Sequence, residues 1–226
     1  MPARLGLLGG TFDPIHLGHR AAALAAAQAL ALDEVRLVPA HLPPHRPTGP
    51  RAADHHRFAM AALVVMDEPT WTVSDSEMAR AGASYTYDTL SGLHQRGLAA
   101  TQIFFLIGAD AFAEIATWSR YPDVLDLAHF VVVARPGVTL ADVQARVPAL
   151  ASRLTPAEAL ATRPAPGIAL LNAQTPDVSS TDIRARAADG RSLSGLVPAS
   201  VDRYIRRHGL YGSRSTMVGA LHGQDE

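Results

Sequence analysis

Residues 4–19 read RLGLLGGTFDPIHLGH: a short apolar run, a glycine pair, an Asp-Pro break, then two histidines three positions apart where a helical pattern begins. Leu5 to Leu8 have the length and flanks of a buried strand, and Gly9-Gly10 lets the chain turn with no Cβ in the way of a ligand. Asp13 suits a helix N-cap and Pro14 the first helical position, which predicts a helix starting here and running through the alanine-rich stretch to Leu32. Its first turn points unpaired amides at any anion. His16 and His19, at i and i+3, then share one helix face and can donate together to adjacent phosphate oxygens.

Working outward, strand-like runs recur at 35–38, 71–73, 103–107, 130–133 and 168–171. Helix-like segments alternate with them at 21–32, 54–65, 87–96, 111–115, 141–154 and 181–188. Alternation of this kind predicts an α/β fold, a doubly wound parallel sheet of Rossmann-like form with helices on both faces. Ligands of such sheets bind beyond the carboxyl ends of the strands at a topological switch point. Residues 39–51, PAHLPPHRPTGPR, hold five prolines in thirteen positions and predict a loop. Residues 162–167 read as a spacer. A single domain is expected over residues 1–211, with a small C-terminal helical part. The tail 212–226 has few apolar residues and no period, and is expected to be poorly ordered.

The composition removes several chemistries. Twenty basic residues face twenty-one acidic ones, for a formal charge of −1, so no global positive field draws nucleic acid or an anionic membrane. The chain offers no apolar run of about 18 residues to span a bilayer and no signal-peptide pattern at its start, so a cytoplasmic location is expected. It has no cysteine, which excludes disulfides, thiolate metal sites and a cysteine nucleophile. All twenty basic residues are arginine. Without lysine there is no Schiff base, no Walker lysine and no lysyl-nucleotide intermediate. Any nucleotide must be handled by glycine, histidine and arginine.

Four further stretches carry candidate chemistry. VSSTDIR at 178–184 follows a strand and opens a helix, so its hydroxyls and amides either cap that helix or bind phosphate, with Arg184 one turn in. PPHR at 43–46 puts His45 and Arg46 in a loop that either closes over phosphates or stays solvated. FLIGAD at 105–110 runs from a buried strand to Asp110, a helix N-cap or a ligand acceptor. Trp118 follows, as core residue or ligand platform. His41, His55 and His56 do not read as a metal site, because neighbouring His55 and His56 are expected to diverge on a helix.

Together with SYTYDTL at 84–90, FVVVARPG at 130–137 and LVPASVDRYIRRHGLY at 196–211, these blocks resemble the bacterial nicotinate-nucleotide adenylyltransferases of the HxGH nucleotidyltransferase superfamily. The resemblance covers nearly all of residues 4–211. It implies adenylyl transfer from ATP to nicotinate mononucleotide in NAD biosynthesis, with His16, His19 and Arg184 as catalytic residues. It implies ATP contacts along Gly9, Gly10, Thr11, Phe12, His16, His19, Gly108, Asp110, Ser180, Thr181, Ile183 and Arg184, with Asp110 accepting from a ribose hydroxyl. For nicotinate mononucleotide it implies His45, Arg46, Thr86, Trp118 and Arg135. Trp118 would stack on the pyridine ring, and the SYT segment would receive its carboxylate. Helix capping or an ion pair explains Asp88 and Arg135 equally well.

Mg2+ is expected to arrive with ATP, held by phosphate oxygens and water and not by a protein cage. The attacking phosphate is already ionised at pH 7, so alignment and charge stabilisation suffice without a general base. The nearest alternatives are adenylyltransferases for nicotinamide mononucleotide or phosphopantetheine, and cytidylyltransferases. From another class, a non-catalytic nucleotide-binding sensor is the alternative. Class I aminoacyl-tRNA synthetases require a lysine-containing second signature that this chain lacks.

Overall fold

Along the strands, side chains alternate between two cores, as a pleated strand covered on both faces requires. Phe104, Leu106, Val131 and Val133 enter one; Ile103, Phe105, Ile107, Phe130 and Val132 enter the other. The computed structural model describes residues 4–44, 49–134 and 139–212.

Seven parallel strands form one sheet: β1 (Leu5–Gly10), β2 (Glu34–Pro39), β3 (Trp71–Val73), β4 (Ile103–Gly108), β5 (His129–Ala134), β6 (Leu154–Thr155) and β7 (Ile168–Asn172). Their order is β3-β2-β1-β4-β5-β7-β6, and every pairing is parallel. The first core is closed by α1 (Leu17–Leu30), α2 (Asp54–Val65), α6 (Ala157–Leu160), α7 (Ser180–Ala188) and α8 (Ala199–Arg207). The second is closed by α3 (Thr86–Gln95), α4 (Ala109–Ala113) and α5 (Leu140–Arg146), with short 3-10 turns between them. The predicted doubly wound parallel sheet is therefore the observed one. From β1 the chain winds outward through β2 and β3, then returns to place β4 on β1's other side. The connections after β1 and β4 thus diverge, opening a crevice at their carboxyl ends.

All six predicted strands form, and α2 occupies the predicted span. Two helices differ. The first begins at Leu17 and ends at Leu30, where Ala31 takes a left-handed conformation (φ 48°) and donates to Ala27 O. Leu32 then folds back onto Gly6; a Cβ on that glycine would lie 2.5 Å from Leu32 Cδ1, so the bare backbone makes room for the turn. The helix predicted over 141–154 stops at Arg146. Pro148 has no N–H to continue it, and a 3-10 turn at Pro148–Arg153 leads into β6. Two residues of edge strand carry no periodic signal, so β6 was not foreseen. The expected C-terminal helical part is α7, α8 and a final turn at Leu210–Gly212. Residues 213–226, for which disorder was expected, lie outside the described residues.

Candidate active site

The turn after β1 is held by a carboxylate with long-range partners. Asp13 is 1% exposed. Its oxygens accept from the backbone N–H of Arg51 (2.8 Å) and Ala52 (3.0 Å) and from the Tyr211 hydroxyl (2.9 Å). Burial, then the Asp13 charge, pushes the Tyr211 phenol up, keeping it a donor. Asp13 is therefore not the N-cap that its position beside Pro14 predicts, since partners 38, 39 and 198 residues away claim it. Behind the turn lies Arg57, fully buried, donating to the carbonyls of Thr11, Ala40, His41 and Ala52 and to Asp54. It ties the loops after β1 and β2 to the start of α2.

With Asp13 engaged elsewhere, α1 is capped by its own histidines. His16 is the N-cap, and its Nδ1 accepts from His19 N (3.4 Å). His19 Nδ1 accepts in return from His16 N (3.2 Å), and the rings stack 3.7 Å apart. An Nδ1 that accepts a backbone N–H cannot hold a proton, so each ring in this arrangement is neutral with its proton on Nε2. Burial lowers the His16 pKa to about 4, consistent with that state. The predicted pairing of His16 with His19 stands, with one correction: His16 precedes the helix instead of sharing its face. Gly18 between them leaves room for this stack: a Cβ there would sit 3.1 Å from the His16 ring, which would have to give by a few tenths of an ångström.

The second wall comes from the start of α7. Ser179 is its N-cap, accepting from Asp182 N at 3.0 Å. Ser180 Oγ donates to Pro14 O (2.9 Å); Arg184 donates to Asp13 O (2.7 Å) and Thr181 Oγ1 (3.1 Å). The distal serine/threonine helix and the histidine turn are thus joined across more than 160 residues of chain.

Between these walls, at the carboxyl ends of β1, β4 and β5, lies a cleft of about 980 Å³, at the upper end of the range for small-molecule sites. Among the expected residues, Gly9, Gly10, Thr11, His16, His19, Gly108, Asp110, Thr86 and Trp118 line it. Trp118 is half-buried, edge-on to Phe105 with centroids 6.1 Å apart, and Thr86 is the first residue of α3. Asp110 is exposed in the first turn of α4, whose N-cap is Gly108. Phe12 and Ile183 are instead core residues, 1% and 0% exposed. Ser180, Thr181 and Arg184 bind the turn beneath the histidines, and Thr175, Pro176 and Val178 form the cleft surface on that side. His45, Arg46 and Arg135 lie outside the described residues; Pro43 and Pro44, just before the first two, reach the cleft. Asp88 is exposed and does not line it.

Sequence reading missed Asp13's true role, Arg57, Tyr211 and Glu77. The last is a cleft-lining carboxyl only 8% exposed. It also misjudged His55 and His56. Their rings lie 4.1 Å apart, and His56 hydrogen-bonds the Tyr204 hydroxyl (3.0 Å) beside His208, because α8 packs there. Among the described residues no three His, Cys, Asp or Glu side chains could hold a metal ion, and no helix is long and apolar enough to cross a membrane.

Residues 7–186 match the family model described as cytidylyltransferase-like. A relative from a Roseiflexus species, named "probable nicotinate-nucleotide adenylyltransferase", is 42% identical over 209 residues, 92% of this chain and 98% of its own length. One of the same name from Pseudomonas syringae pv. tomato is 40% identical over 217 residues, 96% of this chain and 97% of its own. Among solved structures, Plasmodium falciparum nicotinic acid mononucleotide adenylyltransferase complexed with NaAD superposes with a TM-score of 0.71 at 16% identity. It covers 93% of this chain and 98% of its own, and at that identity it bears on the fold alone.

Proposed function

The chain belongs to the cytidylyltransferase-like family, among the nicotinate-nucleotide adenylyltransferases, and we propose that it works the reaction in this cleft with His16 and His19 at the centre. It is a nucleotidyltransferase that moves the adenylyl group of ATP onto nicotinate mononucleotide in NAD biosynthesis. A phosphate oxygen of the mononucleotide bonds to the α-phosphorus of ATP as the bond to the β-phosphate oxygen breaks. Pyrophosphate leaves with that electron pair, and nicotinate adenine dinucleotide remains.

The observation that carries the site assignment is the reciprocal cap, which leaves His16 and His19 with Nδ1 as acceptor at the edge of an open cleft. Their Nε2–H groups are the donors we assign to phosphate oxygens as charge builds in the transition state. Fixed donors of this kind act without reorganising. Arg184 has two of its five donors on Asp13 O and Thr181 Oγ1; we assign the rest, with the Thr181 hydroxyl, to triphosphate oxygens, while the Ser180 hydroxyl, given to Pro14 O, holds the turn in place. We assign the Gly108–Asp110 turn to the adenosine and Thr86 with Trp118 to the pyridine. His45, Arg46 and Arg135 complete the proposed mononucleotide contacts.

A pocket built to donate to a carboxylate leaves those donors unpaired when an amide enters, which favours nicotinate over nicotinamide mononucleotide. Magnesium, when it accompanies ATP, neutralises phosphate charge. We assign its coordination to phosphate oxygens and water. We place the reaction in the cytoplasm.

The test is to incubate the purified protein with magnesium and ATP against nicotinate mononucleotide, nicotinamide mononucleotide and phosphopantetheine, and to identify the dinucleotide. Nicotinate adenine dinucleotide as the preferred product supports the assignment. Preference for another acceptor relocates the specificity, and binding without pyrophosphate release identifies a sensor.

A further inference from the structure

Glu77 is a buried carboxyl in the wall of the cleft that the reaction above does not use. Its surroundings form one connected arrangement. Thr89, buried in the first turns of α3, donates its hydroxyl to Glu77 Oε1 at 2.6 Å. At the other end of the turn Ser84, whose hydroxyl favours the charged Glu77 carboxyl, is held by the loop after β2: its Oγ accepts from His41 N at 2.8 Å and its N donates to Leu42 O at 2.9 Å. Tyr85 and Thr86, both lining the cleft, lie between these two hydroxyl residues. The carboxyl therefore holds the Thr89 end of the 84–89 turn, while His41 and Leu42 hold the Ser84 end. Burial pushes the Glu77 carboxyl up, and the two hydroxyls and nearby Arg80 oppose that shift.

We propose that Glu77 is the positioning residue of the cleft's pyridine-carboxylate end: by holding the Thr89 hydroxyl it fixes the turn on which Tyr85 and Thr86 meet the substrate's carboxylate. The inference rests on the assignment of Thr86 to the pyridine made above. Glu77 acts through the turn and not on the reacting phosphates, so its loss registers on one substrate. Its own negative charge is unsuited to touching a carboxylate, and the Thr89 hydroxyl takes up one of its oxygens. What the turn needs from residue 77 is an acceptor of the right length, not a charge.

The experiment compares wild-type protein with Glu77→Ala, Glu77→Gln and Thr89→Val, measuring kcat, KM for each substrate and the melting temperature. In Glu77→Ala, KM for nicotinate mononucleotide is expected to rise on the order of tenfold, as for one misplaced hydrogen-bonding group. KM for ATP is expected to stay within about twofold, and the preference for acid over amide to narrow. Glu77→Gln keeps an acceptor oxygen and is expected to restore most of the mononucleotide KM. Thr89→Val releases one end of the turn and is expected to shift the same KM by less. Should Glu77→Ala fail to fold, the other two variants decide. Equal rises in both KM values, a fall in kcat alone, or a Gln variant that folds as well as wild type yet binds no better than Ala would overturn the proposal. Wild-type turnover with nicotinate mononucleotide separately decides the underlying assignment, so the two failures are distinct.

Discussion

At His16 and His19 the cap decides the protonation state, and the protonation state decides the chemistry. Two cations stacked 3.7 Å apart would repel; two neutral rings each give one backbone acceptor and one Nε2–H. That is a pair of donors, unsuited to serve as bases or as charge-neutralising cations. Removing the His19 ring in His19→Ala is expected to lower kcat by 10²–10³, the scale for one preorganised donor. Loss of one half of the cap should lower stability by only about 1 kcal/mol, so the variant folds. Pyrophosphate release measured on folded His19→Ala is the check, and an undiminished rate would remove His19 from the assignment. The histidine pair was legible in the sequence from spacing alone. Asp13's role was not, because the groups that claim it, Arg51, Ala52 and Tyr211, are distant along the chain, and capping rules see only a few neighbours.

Among the elements, the loops after β1 and β2 and the start of α2 meet at one arginine. Arg57 sits on a helix whose span the sequence predicts, yet nothing in DHHRFAM marks it as buried, since arginine on a helix ordinarily reads as a solvated face. Its guanidinium satisfies four carbonyls that would otherwise lie unpaired beneath the turn after β1. Arg57→Met keeps much of the bulk and removes every donor. Breaking a buried charged network by removing one partner costs roughly 3–5 kcal/mol, and that loss is expected in urea unfolding. A loss below about 1 kcal/mol, within the range of a surface substitution, would mean that the turn holds without it. Glu77 escaped sequence reading for the same reason, as SDSEMAR looks like an exposed charged loop. The motif that follows it, SYTYDTL, was legible only through the family resemblance, since no periodicity in the sequence places Thr86 at the cleft, where α3 opens.

For the whole molecule, alternating strand and helix segments were enough to read a parallel doubly wound sheet, but not that β4 returns beside β1, since neighbours in the sheet are chosen by packing between distant segments. That same packing buries two histidines in separate places: His16 at the cleft, and His129 at the start of β5, where its Nδ1 accepts from Gly167 N. Burial lowers both from 6.5 to about 4. The folded state therefore binds fewer protons than the unfolded state between pH 6.5 and about 4. Stability from these groups is complete above that window and is lost as pH falls through it. Within the window each histidine contributes a slope of up to about 1.4 kcal/mol per pH unit. His129→Gln removes the titration at the opposite end of the strands from the histidine turn. Its urea midpoint, followed from pH 7 to 4.5, is expected to fall less steeply than that of wild type, whatever its absolute stability. Parallel slopes would show that His129 does not drive the acid response and would leave it to His16, and to His56, lowered by burial and by His55 and His208 beside it.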